Sequence, residues 1–255
     1  MRKVEQQSTH ADERGANGPS PIAPSQHGER EAAAALGGGT ALRRDEQGLA
    51  LVGDGMVLRG DFSQLLPRIR KGRLSSELLV RAAKVRDCAE PWAIDATAGL
   101  GEDSFLLAAA GFRVSMYESD PTIAALVRDA LNRAQANPNL ADIVCRMELF
   151  VEDSIEAMSH LGDTPDVIYL DPMFPERRKS AAVKKKFQLI HHLEAPCQNE
   201  GALLAAAISA GPRKVVVKRP AKGPHLASVK PSHSLAGKAV RYDVIIPASI
   251  KVPLA

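Results

Sequence analysis

The sequence lacks long hydrophobic runs, and their absence excludes one class of protein. Charged residues or glycine interrupt every apolar stretch within about ten residues, whereas a membrane-spanning helix needs roughly 18 to 20 consecutive apolar residues. The basic start of the chain, Met1-Arg2-Lys3, is not followed by the apolar segment of a secretory signal. We therefore expect a cytoplasmic protein that has no membrane partner.

Cysteine is scarce as well, and the spacing of the three cysteines argues against two further classes. Cys88, Cys145 and Cys197 lie far apart and form no C-x-x-C pair. This spacing fits neither a disulfide framework nor a zinc knuckle. The histidine pair His191-His192 has no carboxylate or cysteine constellation around it, so we expect no metal site.

Aromatic residues make up only 4% of the chain, and the first 47 residues contain none. That segment has few large aliphatic side chains, and it contains Pro19, Pro21, Pro24 and the glycine run 37–39. Such a segment cannot bury enough apolar surface to offset the entropy lost on ordering it. We predict a disordered tail over residues 1–47, in which 30–36 is the one candidate for a short helix.

Charge is present in both signs but is unevenly distributed. Residues 48–175 carry 12 basic and 19 acidic side chains, whereas residues 176–255 carry 15 basic and 4 acidic ones. The cationic C-terminal third suggests that a polyanion binds there and that the acidic middle binds something else. A solvated basic face is the alternative, because the sequence does not say whether the lysines converge on one surface.

From Trp92 onward, short apolar strands alternate with helices. Strands separated by helices imply a mostly parallel sheet that is covered on both faces. The last predicted strand follows its predecessor without a long helix, so we expect the sheet to end in an antiparallel pair. The predicted strands are 92–96, 113–118, 148–151, 167–170, 214–218 and 240–246, and the clearest predicted helices are 103–110 and 121–136.

A smaller unit precedes this alternating region. Residues 56–62 are typical of a strand, and Ser75-Ser76-Glu77 opens a predicted amphipathic helix that continues to about residue 86. We predict a small N-terminal subdomain over 48–88, packed on a main domain over 89–255.

A glycine turn follows the first strand of the main domain. Asp95 ends the strand, and Gly99 and Gly101 precede the next helix. Ligands of open α/β sheets bind at the carboxyl ends of the strands, and glycine lets a ligand approach the backbone closely. Ser104 replaces the third glycine of a dinucleotide fingerprint, and a carboxylate at 95 suits the amino group of a methionine moiety better than a pyrophosphate. The turn therefore favours S-adenosylmethionine over a dinucleotide.

Carboxylates also follow the next two strands. Glu118 closes the second strand, where it can accept both hydroxyls of a ribose. Asp153-Ser154 follows the third strand and is placed to meet an adenine. Each acid alone is as readily explained as a helix N-cap or a solvated loop residue. Three acidic strand ends in this order favour a cofactor site.

The fourth strand ends in the sequence Asp171-Pro172-Met173-Phe174. It resembles the D/N-P-P-Y/F/W signature of amino methyltransferases, with Met173 in place of the second proline. Asp171 and the carbonyl of Pro172 can accept the two N–H bonds of an exocyclic amine, which steers its lone pair toward the sulfonium methyl, while Phe174 stacks on the base. The alternative is a proline-rich turn after a buried strand.

Six cations occupy the ten residues downstream of this loop, with no acid among them. Phosphates near a flipped base would meet this segment. Lys218 and Arg219 end another strand at the same edge of the sheet and could extend the patch, although a solvated face is again the alternative. The six cations are Arg177, Arg178, Lys179, Lys184, Lys185 and Lys186.

Taken together, these segments resemble the RsmJ-type small-subunit ribosomal RNA guanine-N2 methyltransferases. The resemblance rests on DATAGLGEDSFLLAAAG, VIYLDPMFPERRKSAAVKKK and KVVVKRPAK, and it covers residues 48–247. It implies a Rossmann-like class I methyltransferase, with a mostly parallel seven-stranded sheet, an antiparallel C-terminal strand and a small N-terminal extension.

The same resemblance implies the ligands. The cofactor is S-adenosylmethionine, and its expected contacts are Glu102-Asp103, Glu118-Ser119, Asp153-Ser154 and Asp171. The implied acceptor is a guanosine in the 3′ minor domain of bacterial 16S ribosomal RNA, presented as RNA or as the small ribosomal subunit. Two alternatives are an amino methyltransferase that acts on DNA or protein, and a non-catalytic RNA-binding assembly factor that keeps the fold.

Overall fold

The N-terminal part of the protein forms an antiparallel sheet of four strands. The structure is a computed structural model that describes residues 35–36, 39–53, 55–172 and 199–249. Gly48 and Gly55 adopt positive φ angles of 108° and 71° in the turns between these strands, which is the backbone region that glycine enters without strain. The strands are β1 (Ala35–Leu36), β2 (Thr40–Asp45), β3 (Gly48–Gly53) and β4 (Met56–Leu58).

This sheet corrects two predictions about the first 47 residues. The predicted tail extends to residue 47, but Thr40–Asp45 is a strand that pairs along its length with β3. The candidate helix over 30–36 is wrong at its end, because Ala35–Leu36 pairs as a strand with β2. Residues 1–34 lie outside the described residues.

The main sheet contains seven strands in the order β10-β11-β9-β8-β5-β6-β7. Five neighbouring strands run parallel, β11 pairs antiparallel with β9, and β10 pairs antiparallel with β11. The predicted mostly parallel sheet with an antiparallel C-terminal strand is therefore confirmed. The strands are β5 (Trp92–Asp95), β6 (Arg113–Tyr117), β7 (Met147–Phe150), β8 (Val167–Leu170), β9 (Lys214–Pro220), β10 (His233–Ala236) and β11 (Val240–Ile245).

Helices cover both faces of this sheet, as the pattern predicts. Side chains alternate along each strand, so Val167 and Tyr169 pack in one hydrophobic cluster with the first four helices, while Ile168 and Leu170 pack in another with the last two. The helices are α1 (Leu78–Ala83), α2 (Glu102–Ala109), α3 (Pro121–Gln135), α4 (Ala141–Val144), α5 (Ser154–Ser159) and α6 (Glu200–Ser209).

The strand and the helix that connect the two sheets are both shorter than the sequence predicts. The predicted strand over 56–62 ends at Leu58, and a 3₁₀ turn occupies Phe62–Leu65. The predicted helix over 75–86 divides into a 3₁₀ turn at Leu74–Ser76 and the helix α1. The predicted boundary between residues 88 and 89 stays a prediction.

Asp129 of α3 fastens the N-terminal sheet to the main domain. Its carboxylate accepts hydrogen bonds from the backbone of Leu49 at 3.0 Å, from Arg44 at 2.7 Å and from Arg133 at 2.8 Å. Burial opposes ionisation, but these three donors hold the pKa of Asp129 below its usual range. A Cβ atom at Gly48 would meet the side chains of Arg133 and Asp129, so a larger residue there would displace this ion pair.

Candidate active site

Asp95 lies beneath the glycine turn at the end of β5. Only 1% of the residue is exposed, and its two carboxylate oxygens accept hydrogen bonds from Ser104 Oγ at 2.5 Å and from the Thr97 amide at 3.1 Å. Both oxygens therefore already hold the glycine turn together, and the predicted contact with a methionine amino group stays a prediction. Asp95 orders the turn, and burial raises its pKa to about 7.

Replacing Asp95 with asparagine should flatten the pH dependence of stability. The folded chain keeps this proton to about pH 7, against an ordinary pKa of 3.8, so folding binds a proton and wild-type stability falls as the pH rises between those values. Across this range the free energy of unfolding should fall by about 4 kcal/mol. Asparagine can still accept from Thr97 and donate to Ser104, so it preserves the hydrogen-bond pattern of the turn.

Denaturant unfolding of both proteins between pH 4 and 8 measures this difference. Asp153→Asn is the matched control, because it makes the same change at an exposed carboxylate, and the flattening should be larger in Asp95→Asn than in this control. Parallel wild-type and Asp95→Asn curves would show that Asp95 is already ionised at pH 4.

Glu118 joins the end of β6 to the glycine turn. Its carboxylate accepts hydrogen bonds from the Gly99 amide at 3.1 Å and from the Asp120 amide at 2.8 Å, and burial raises its pKa. A Cβ atom at Gly99 would meet nothing within 4 Å, so the backbone faces open space there. A carboxylate oxygen has more than one acceptor site. Glu118 can therefore hold the turn and also receive ribose hydroxyls, as the sequence predicts.

Gly101 lies against the N-terminal segment, and its predicted contact with the cofactor stays a prediction. Its φ of 74° ends the turn and begins α2, but a Cβ atom there would lie 3.4 Å from both Met116 Sδ and Phe62 Cζ. Phe62 also stacks on Phe105 of α2, with ring centroids 5.3 Å apart. A side chain at 101 would thus meet these two residues at ordinary contact distance, and glycine is favoured there by its φ angle, whereas Gly99 faces open space.

A charged network links the end of β8 to β9 and α2. The ammonium of Lys218 lies 2.8 Å from Oδ2 of Asp171 and 2.7 Å from Oδ2 of Asp103. The hydroxyl of Tyr169 donates to the same Asp103 oxygen at 2.6 Å, and the Asp171 amide donates to Thr97 Oγ1 at 2.6 Å. Burial opposes the cation, but the two carboxylates raise the pKa of Lys218, so it stays protonated.

These contacts correct the prediction that Lys218 and Arg219 extend an RNA-binding patch. Lys218 is neutralised between two carboxylates, and Arg219 is 1% exposed and donates from Nε to the Pro224 carbonyl at 2.8 Å. Neither side chain is placed to meet a phosphate. The other predicted RNA contacts, together with Met173 and Phe174, lie outside the described residues; they are Arg177, Arg178, Lys179, Lys184, Lys185 and Lys186.

The other predicted cofactor residues follow the ends of β6 and β7 or begin α2. Asp153 caps α5 by accepting from the Ile155 amide at 2.7 Å, as its alternative interpretation required. Glu102 and Ser119 are exposed and Ser154 is half-buried. Their contacts with the cofactor stay predictions.

Sequence reasoning missed four residues that shape the site. Thr97, Ser104 and Tyr169 bond directly to predicted site residues, and Tyr242 pairs with Lys218 across β11 and β9. Tyr169 was detectable, because it lies two residues before Asp171 and so on the same face of β8. Nothing in the local sequence signals the other three.

The arrangement suits an adenosyl cofactor. The open backbone at Gly99, the buried Glu118 beside it and the half-exposed Asp171 all follow strands of the same parallel sheet, where α/β ligands bind. Among the described residues, no group of three or more histidine, cysteine, aspartate or glutamate side chains is arranged to hold a metal ion. No helix in the described part of the chain is long and apolar enough to cross a bilayer.

Comparison with known proteins decides between the possible families. Residues 40–247 match the family model described as "Putative SAM-dependent methyltransferase". A ribosomal RNA small subunit methyltransferase J from Neisseria meningitidis serogroup C is 42% identical over 206 residues, which are 80% of this chain and 82% of the relative. The chain belongs to the methyltransferase J family. A member from Pseudomonas fluorescens is 43% identical over 218 residues, or 83% of this chain and 84% of that protein.

A solved structure agrees with this assignment. The SAM-dependent methyltransferase from Neisseria gonorrhoeae is 33% identical and superposes with a TM-score of 0.68, over 85% of this chain and 86% of that one. The methyltransferase J family member described here therefore has the class I methyltransferase fold. Its cofactor is S-adenosylmethionine.

Proposed function

We propose that this protein transfers the methyl group of S-adenosylmethionine to the exocyclic N2 amine of one guanosine in the 3′ minor domain of bacterial 16S ribosomal RNA. The names of the relatives support methylation of small-subunit ribosomal RNA. The base, the atom and the domain follow from the family resemblance of the DPMFP segment and its flanks.

The observation that carries the proposal is the placement of Asp171. Its Oδ2 is held by Lys218 at 2.8 Å, while Oδ1 has no partner among the residues that the structure describes, and 36% of the side chain is exposed. An acceptor fixed at one oxygen and open at the other can receive an amine N–H in a defined direction. The carbonyl of the adjacent Pro172 is the second acceptor.

The chemistry requires such orientation because the lone pair of an exocyclic amine is delocalised into its ring. S-adenosylmethionine supplies a sulfonium methyl as the electrophile. Asp171 and Pro172 hold the two N–H bonds, so that the nitrogen lone pair forms the new N–C bond as the C–S bond breaks and its electrons remain on sulfur. Asp171 can then take the proton that the methylated nitrogen releases, or pass it to water.

Two other functions stand as alternatives. An amino methyltransferase of DNA or of a protein glutamine would use the same acceptor geometry on another amine. A non-catalytic assembly factor would keep the fold and bind RNA without transferring a methyl group. The ordered network around Asp171 favours an enzyme, because a binding protein needs no acceptor fixed in this direction.

Methyl transfer from labelled S-adenosylmethionine to small ribosomal subunits tests the proposal. Subunits from a strain that lacks the enzyme should acquire label, and nucleoside analysis should recover it as N2-methylguanosine from the 3′ minor domain. Subunits from the parent strain are the matched control, since their target is already methylated. Label in another nucleoside, or preferential transfer to DNA or a glutamine peptide, would overturn the proposal, and cofactor binding without transfer would favour the assembly factor.

A further inference from the structure

Three exposed cations lie on the segment between β4 and α1. Arg70, Lys71 and Arg73 are all exposed, and no described carboxylate forms an ion pair with any of them. Gly72, between the last two, has a φ of 84° and open space around it, so the segment turns sharply at this point. Their exposed side chains, on a sharp turn, are available to an anion.

An ion pair connects this turn to the start of α1. Arg68 donates two hydrogen bonds of 2.8 Å to the carboxylate of Glu77, which directly precedes α1. The Glu77 hydrogen bonds, and more weakly the charge of Asp103, raise the pKa of Arg68. Glu77 is followed directly by Leu78, the first residue of α1, so the ion pair fixes the cationic turn at the start of this helix.

Two further exposed cations, Lys222 and Lys238, lie near the start of α1, next to the end of β9 that carries Lys218. A Cβ atom at Gly237 would lie 2.8 Å from Leu78 of α1, so the turn between β10 and β11 packs against that helix. This turn carries Lys238, and the hydrogen bond of 3.0 Å between Ala221 N and Ala239 O places Lys222 next to it. We refer to Arg70, Lys71, Arg73, Lys222 and Lys238 as the basic rim.

We propose that the basic rim binds the phosphates on either side of the target nucleotide in the RNA substrate. This inference rests on the proposed function, since it concerns how that substrate is held. A base that enters the Asp171 site leaves its flanking phosphates at the mouth of the cleft. The carboxylates of the cleft repel those phosphates, so cations at the mouth are needed to offset them.

Two exposed cations near the amino ends of the parallel strands, opposite the candidate site, serve as a matched control. Lys84 and Arg86 are exposed like the rim cations, but their carbonyls accept from Lys214 at 2.9 Å and from Arg213 at 3.2 Å. These donors stand at the start of β9, far from the end of the strand where Lys218 meets Asp171. Lys84 and Arg86 are thus the same two residue types with the same spacing as Lys71 and Arg73, but they lie at the amino end of β9, away from the candidate site.

Binding of a 3′ minor domain RNA fragment at several salt concentrations tests the proposal. The full-length Lys71→Gln/Arg73→Gln variant should bind the RNA roughly tenfold more weakly, and the slope of log affinity against log salt should fall by about 1.4 to 1.8. Lys84→Gln/Arg86→Gln should match the wild type in both quantities. Calorimetric titration with S-adenosylmethionine should give the same affinity for all three proteins, which verifies their folding.

The outcomes separate this inference from the proposed function. Equal affinities and salt slopes for the rim variant and the wild type would overturn the basic rim while methylation of the RNA continued. Equal losses in the rim and control variants would overturn it too, because binding would then follow total charge rather than position. Wild-type protein that methylates neither the RNA fragment nor the small ribosomal subunits would instead contradict the proposed function.

Discussion

Alanine at Asp171 is expected to lower kcat for methyl transfer by about 10³-fold or more. The change removes the acceptor that orients the amine, and it leaves Lys218, half-buried beside Asp103, with one carboxylate instead of two. Affinity for S-adenosylmethionine should fall much less, because Gly99 and Glu118 keep their hydrogen bond. Single-turnover methylation and calorimetric titration measure the two quantities. Turnover equal to that of the wild type would contradict the mechanism.

Asparagine at the same position tests whether the side chain of residue 171 must accept a hydrogen bond from the substrate amine. An amide has one acceptor oxygen, and the ammonium of Lys218, 2.8 Å from Oδ2 in the wild type, should attract that oxygen. The NH₂ group would then face the substrate amine, and because both groups donate hydrogen bonds, neither could accept from the other. We expect Asp171→Asn to be within about tenfold of the alanine variant. Adding Lys218→Met should release the amide and restore at least part of the rate, and no gain in the double variant would contradict this reason.

The central strands and helices were predictable because their signals are local. The strand over 167–170 is found with the predicted limits, and the predicted helix over 121–136 ends one residue early. Proline at the first helical position and Asp120, whose side chain accepts from the Thr122 and Ile123 amides, define the start of that helix. The strand β10 was missed because it is short and mostly exposed, so it has little hydrophobic pattern.

The N-terminal sheet was not predictable from composition. Its strand Thr40–Asp45 lies in a segment with few large apolar residues, and its attachment comes from contacts far along the chain. Arg44 and Leu49 bond to Asp129, which is 85 and 80 residues away from them. Burial by a distant helix supplies the stabilisation that the local segment lacks.

The positions of the acidic site residues were predictable from the sequence, but the ion pairs that they form were not. Asp171 and Glu118 follow their strands as the pattern predicts, because the carboxyl ends of parallel strands meet at one edge. Lys218 was predicted to be a free cation, but its two partners lie 47 and 115 residues away in the sequence. The sequence shows that Lys218 is positively charged, but its partners are determined by which strands lie side by side in the sheet.

Replacing Lys218 with methionine is expected to lower kcat/KM at pH 7 by about 10- to 100-fold, and to do so in a pH-dependent way. Asp171 must be ionised to accept the amine N–H. Burial and the neighbouring charge of Asp103 raise the pKa of Asp171, while Lys218 opposes them. Without the ammonium, Asp171 keeps its proton to a higher pH. The acid limb of the rate profile should therefore move up by one pH unit or more.

Profiles of kcat/KM against pH distinguish this electrostatic role of a positioning residue from a purely structural one. The loss in Lys218→Met should shrink as the pH rises and Asp171 ionises, and Lys218→Arg should restore much of the activity at pH 7 because it returns the positive charge. Tyr169→Phe is the matched control, since it removes the hydrogen bond of 2.6 Å to Asp103 without changing any charge, and its acid limb should stay in place. An equal loss at every pH in Lys218→Met would mean that the lysine only holds β8, β9 and α2 together, because a structural defect has no reason to follow the ionisation of Asp171.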